Sequence, residues 1–89
     1  MAEYKVTCIR SDPEDNDRRI ARLGGPGWIK PIEEVISEIE NEQHVYWTQV
    51  YDLRTEVMVR RHPESNRTYL ATVRDIYPHN HLLSLIDCL

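Results

Sequence analysis

The feature that most constrains this chain is a change of hydrophobic period near Asn41. Up to it, Ile32, Val35, Ile36 and Ile39 recur at i, i+3, i+4 and i+7, while Glu33, Glu34, Glu38, Glu40 and, just beyond, Glu42 occupy the rest of the segment. That spacing puts one apolar stripe on an amphipathic helix, and the stripe must be covered by something. Pro31 suits the first helical position, where its missing N–H costs nothing, and Glu33 and Glu34 complement the positive end of the helix dipole. Towards the far end, Glu34/Glu38 and Glu38/Glu42 are like-charge neighbours one turn apart, so basic groups from elsewhere in the domain, or from a partner, are expected to offset them.

After Asn41 the period is two. Val45 to Tyr51, Glu56 to Arg61 and Thr68 to Val73 read as strands, joined by a turn at Asp52-Leu53-Arg54 and a loop from His62 to Asn66. Ahead of the helix, Tyr4 to Arg10 is rich in β-branched residues and Arg18 to Leu23 forms a shorter run, separated from it by the polar loop around Pro13. Gly24-Gly25-Pro26-Gly27 should stop the second strand. The predicted fold is α+β, a single antiparallel sheet of about five strands in the order β-β-α-β-β-β with the helix packed on one face. Residues 1–89 make one domain, since a chain of this length has no room for two cores. The tail is interrupted at Pro78 and then apolar at Leu82, Leu83, Leu85 and Ile86, which predicts a docked turn or short helix.

With 40% hydrophobic and 29% charged residues the chain is too apolar for intrinsic disorder. It lacks an apolar run long enough to span a membrane, and Met1 to Tyr4 has no basic-then-apolar secretory pattern, so a cytoplasmic location is expected. Cytosolic thiols stay reduced, so Cys8 and Cys88 are expected as free thiols, with Cys8 buried in a strand.

The succession Arg19-Ile20-Ala21-Arg22-Leu23-Gly24-Gly25, Trp28, Ile32-Glu33-Glu34-Val35-Ile36, Tyr69-Leu70-Ala71-Thr72 with Asp75, and Leu82-Leu83-Ser84-Leu85-Ile86-Asp87-Cys88 resembles the small bacterial proteins grouped as domain of unknown function 3892. The chain departs from that pattern at Lys30-Pro31, Ile76 and Ile86. The resemblance implies a domain boundary and carries no activity with it.

The net charge of −4 excludes a global attraction to nucleic acid or anionic lipid, although residues 31–53 hold six acids and no base while residues 54–74 hold five arginines. No catalytic motif is present. The Gly24-Gly25-Pro26-Gly27 run lacks the Lys-Ser/Thr ending of a phosphate loop, and the loop from Asp12 fails as a calcium site because Asp17 and Leu23 stand where glycine and glutamate are needed. His79 and His81 could share one side of an extended segment, but two ligands half-fill a tetrahedral metal site. No cofactor is expected, and no residue is assigned to catalysis or to a metal. The residues singled out for contact with a partner are Arg60, Arg61, Asp75, His79 and His81. The first functional reading is a non-catalytic binding module with another protein as partner. The second is a small enzyme or metal-binding protein built on Asp75, His79, His81 and Cys88. The third is weak nucleic-acid binding by the arginine-rich strands, with Tyr46, Trp47, Tyr51 and Tyr69 as stacking rings.

Overall fold

The computed structural model describes residues 2–75 and 79–88. The expectations attached to Ile76 and Pro78 lie outside that range. Eight strands and one helix follow in the order β1 (Ala2–Lys5), β2 (Cys8–Ser11), β3 (Ile20–Gly25), β4 (Trp28–Pro31), α1 (Ile32–Glu40), β5 (His44–Val50), β6 (Leu53–Arg61), β7 (Thr68–Thr72), a 3-10 turn (His81–Ser84) and β8 (Ile86–Asp87). They form two four-stranded sheets, ordered β1-β5-β6-β7 and β4-β3-β2-β8. The prediction of one antiparallel sheet is therefore corrected: β1 runs parallel to β5, and β8 runs parallel to β2.

The physical reason lies in the first apolar run, which is cut in two. Between Lys5 and Cys8 the chain steps from one sheet to the other. Val6 N donates to Trp47 O in the first sheet, and the next residue, Thr7, donates its N–H to Gly24 O in the second. Thr48 Oγ1 donates to Val6 O, so the carbonyl at the crossing is also satisfied. The second correction concerns the glycines. They do not stop β3; it runs through Gly24 and Gly25, which pair with Ile29 and Trp28 of β4, a strand absent from the sequence-based reading. The reversal is made by Pro26 and Gly27, the latter at φ +79°, a conformation only glycine adopts without strain. Gly25 is required for close approach: a Cβ there would lie 2.0 Å from Lys5 O and 2.5 Å from Trp28 Nε1.

Pro31 stands just ahead of the helix in extended conformation and makes no side-chain cap. Ile32, Val35 and Ile36 are buried and Ile39 is partly buried, as the stripe requires, but the helix lies against β3 and β4 of one sheet and β5, β6 and β7 of the other. Its apolar face joins both layers in a core with Val6, Ile9, Leu23, Tyr46, Val57 and Leu70. The glutamates find their expected cations close at hand. Lys30 Nζ lies 3.1 Å from Glu38 and 3.8 Å from Glu34, and Arg18 lies 3.9 Å from Glu33.

The first sheet closes its hairpins tightly. Tyr51 and Asp52, at φ 49° and 66°, form a two-residue turn between Val50 and Leu53, the arrangement whose twist matches the flanking strands. Asn66 at φ 62° reverses the chain between β6 and β7, and His62 Nδ1 accepts from the N–H groups of Glu64 and Ser65 inside that loop. The tail is docked as expected, with Leu82 fully buried. Among the described residues no helix is long and apolar enough to cross a membrane.

Candidate interaction surface

Two places gather the residues of interest. The first joins the tail to the first sheet. Asp75, almost fully buried, accepts hydrogen bonds from Thr72 N (2.9 Å), Thr72 Oγ1 (3.0 Å) and His81 N (3.0 Å), and its other oxygen is paired with His81 Nδ1. Burial pushes the Asp75 carboxyl up, but the hydrogen bonds from Thr72 and His81 outweigh it and hold it below the ordinary carboxylate range. An ionised Asp75 fixes the proton of His81 on Nδ1, leaving Nε2 as the free nitrogen of a ring that meets Tyr51 edge-on at 6.0 Å. Beside them is a depression of about 150 Å³ lined by Gln49, Tyr51 and Leu85 among others, well below the size of an ordinary ligand pocket.

The structure thus brings Asp75 and His81 together, while His79 is exposed. No group of three or more metal-binding side chains occurs among the described residues. Cys8 and Cys88 are joined in a disulfide across 80 residues of chain, which overturns the expectation of free thiols. Sequence separation concealed the pairing: β8 lies beside β2 only because the tail returns across the whole domain. Arg60 and Arg61 serve the fold. Arg60 Nη2 donates to Val73 O at 3.3 Å, and Arg61 Nη1 to Asn66 O at 3.2 Å. Arg67 is bound to Asp15 and Asp17, and Tyr46 and Tyr69 are buried, so these groups do not make a stacking platform. Asp15 is held below the ordinary carboxylate range, first by the backbone N–H of Arg18.

The second place was not singled out from the sequence. In the second sheet Ile29 pairs with Gly24, Gly24 with Cys8, and Cys8 with Ile86. Residues directly opposite one another project to the same face, and the inward residues of these strands, Ile9 and Leu23, are buried. The row is therefore on the outer side of the sheet, with Ile29 and Ile86 exposed, Cys8 partly buried and Gly24 buried. Its middle is a floor of glycine and disulfide: a Cβ at Gly24 would lie 2.8 Å from each sulfur. Its two ends are raised and bare, with Ile29 47% and Ile86 75% exposed, roughly 14 Å apart at three strand spacings. In the adjacent row Arg10, Arg22 and Pro31 are opposite one another. Arg10 Nη1 donates to Cys88 O at 3.0 Å, and neither arginine has a carboxylate partner among the described residues. The sequence signal was present in Trp28-Ile29-Lys30-Pro31, an alternating run, but it is short and follows glycines that read as a stop.

A family model described as a protein of unknown function (DUF3892) matches residues 5–86, nearly the whole chain. The chain belongs to the DUF3892 family. No curated protein and no solved structure matches it. For this DUF3892 domain the matched span runs from the end of β1 to the start of β8, so both sheets, the helix and the Asp75–His81 pair fall within the family's range.

Proposed function

We propose that the domain is a non-catalytic interaction module that takes a protein partner on the solvent side of its second sheet. The observation that carries this reading is the row Ile29-Gly24-Cys8-Ile86, a glycine-and-disulfide floor between two exposed isoleucines. Exposed apolar patches of this kind mark contact surfaces. The burial of Tyr46 and Tyr69 and the contacts that Arg60, Arg61 and Arg67 make within the fold speak against nucleic acid as the partner.

The test is selection of peptides from a random displayed library on the folded, disulfide-bonded protein, followed by amide chemical-shift mapping of a winner. Shifts concentrated at Cys8, Gly24, Ile29 and Ile86 are expected. Shifts at Tyr51, Leu53 and His81 instead would refute the choice of face.

One observation favours a second reading, a site of proton or metal chemistry at His81: the Asp75–His81 pair orients an imidazole as a catalytic or ligating histidine is oriented. Cys88 is bound to Cys8 and cannot serve as thiolate or ligand while oxidised. Zinc titration should move the His79 and His81 resonances together under this reading and leave them in place under the first. The bridge also bears on location, because disulfides persist in oxidising surroundings and are rare in the cytosol. It pulls against the cytoplasmic placement drawn from the lack of a secretory pattern.

A further inference from the structure

The uncovered face carries charge as well as apolar surface, and the charge has one sign. Arg10 and Arg22 stand side by side on neighbouring strands and point to the same side as Ile29 and Ile86. Like charges directly opposite one another in a sheet are destabilising unless something relieves them. Here the relief within the fold is one-sided: Arg10 has the Cys88 carbonyl, whereas the Arg22 side chain makes no hydrogen bond or ion pair with any described residue. The pair is conspicuous in a chain whose net charge is −4. On the first sheet, by contrast, Arg54 is paired with Glu3 and lies over Trp47.

Alongside this face runs an open edge. β8 contributes only Ile86 and Asp87 and has no further strand on its outer side among the described residues. An edge this short offers little backbone for another strand to pair with, so an occupant is held by the face.

Resting on the proposed interaction surface, we infer that the occupant is an extended, acidic segment of a partner protein. It lies across the shelf between Ile29 and Ile86, with its carboxylates meeting Arg10 and Arg22. A second copy of this chain is disfavoured by the same charges, since two such faces would set four arginines against each other.

The experiment compares two capped peptides, one alternating valine with glutamate and the other valine with lysine, by fluorescence anisotropy at low salt. The glutamate peptide is expected to bind at least about tenfold more tightly, with amide shifts at Ile86, Asp87, Arg10 and Arg22, and to weaken as salt rises. Arg22→Glu should lose about tenfold in affinity and Arg22→Lys should retain most of it. The Arg22 side chain has no hydrogen bond or ion pair among the described residues, so an unchanged unfolding midpoint separates lost binding from lost structure. Absence of binding by the glutamate peptide, equal binding by the two peptides, or indifference to Arg22→Glu overturns the acidic partner. If peptides selected from the library still shift Ile29 and Ile86 but carry no carboxylates, only the partner chemistry falls. If nothing shifts that face, the surface itself falls too. Sedimentation of the free protein as a dimer abolished by Arg22→Glu would point to a second copy and would likewise overturn the inference.

Discussion

The two sheets solve the same problem by different means. In the first, β5 and β6 are seven and nine residues long, and β5, β6 and β7 follow one another through short connections, so their pairing is specified locally. On its outer side Lys5 and Arg54 lie over the Trp47 ring at 5.3 and 4.7 Å, and Arg54 is paired with Glu3. In the second, no strand exceeds six residues, two glycines occupy the middle, and the last strand has two residues returned from the far end of the sequence. A covalent bridge takes the place of length and regularity, and the outer face is left bare. A small domain can hold a weak sheet in place with a staple and keep its surface open for contact.

The largest effect should come from breaking the staple. Reduction, or Cys8→Ser with Cys88→Ser, removes a constraint on a loop of nearly the full chain and should cost about 2–4 kcal/mol. Hydrogen exchange should then accelerate in β8 and the 3-10 turn well before β5 and β6, and simultaneous loss of both sheets would contradict the division of labour. Next is Gly25→Ala, where the new Cβ meets backbone at Lys5 O and cannot be relieved by a side-chain movement. A loss of about 1–3 kcal/mol in chemical denaturation is expected.

A smaller, distributed effect concerns pH. Lys30, whose Nζ lies 4.3 Å from the Tyr4 ring centroid, donates to the Tyr46 hydroxyl at 3.0 Å and to Glu38, and Tyr46 in turn donates to Glu38. Burial and the Glu38 bond push the Tyr46 hydroxyl up to about 12. Burial pushes Glu38 up, but the hydrogen bonds from Tyr46 and Lys30 hold it below its ordinary range. Asp75 behaves in the same direction. Both carboxyls are depressed in the folded state, so each contributes stability above its unfolded value, near pH 4, and loses it as pH falls through the folded one. Stability should therefore fall as pH drops below about 4, and Glu38→Gln should flatten that dependence; an unchanged slope would contradict the assignment. The smallest effect is a gain. Tyr51→Asn with Asp52→Gly, placed where both backbones have positive φ, should stabilise the β5–β6 turn by about 0.5–1 kcal/mol.

The same contrast decides how much could be read from the sequence. The helix and the three strands after it were legible because period 3.6 and period 2 each persist long enough to be distinguished. The helix partner was only half legible: the stripe on Ile32, Val35 and Ile36 demands cover, but amphipathicity cannot say that two sheets share it. The second sheet was hidden in Tyr4 to Arg10, which looks like one strand and is two, and in Gly24-Gly25, whose missing side chains make room for Trp28 and the disulfide. Asp75 and His81 could be named, because a carboxylate and an imidazole six residues apart are visible, but the hydrogen bonds of Asp75 to Thr72 depend on the turn after β7. The Ile29–Ile86 shelf is assembled from opposite ends of the domain, and nothing local announces it.

The central claim is that this shelf is a contact surface and contributes little to folding. It is tested most directly by the double variant Ile29→Asp, Ile86→Asp, measured for its unfolding midpoint and for binding of a library-selected peptide. Ile86 is three-quarters and Ile29 about half exposed, so the midpoint should stay close to wild type while binding is lost. Retained binding at wild-type affinity, in a variant that remains folded, would contradict the account.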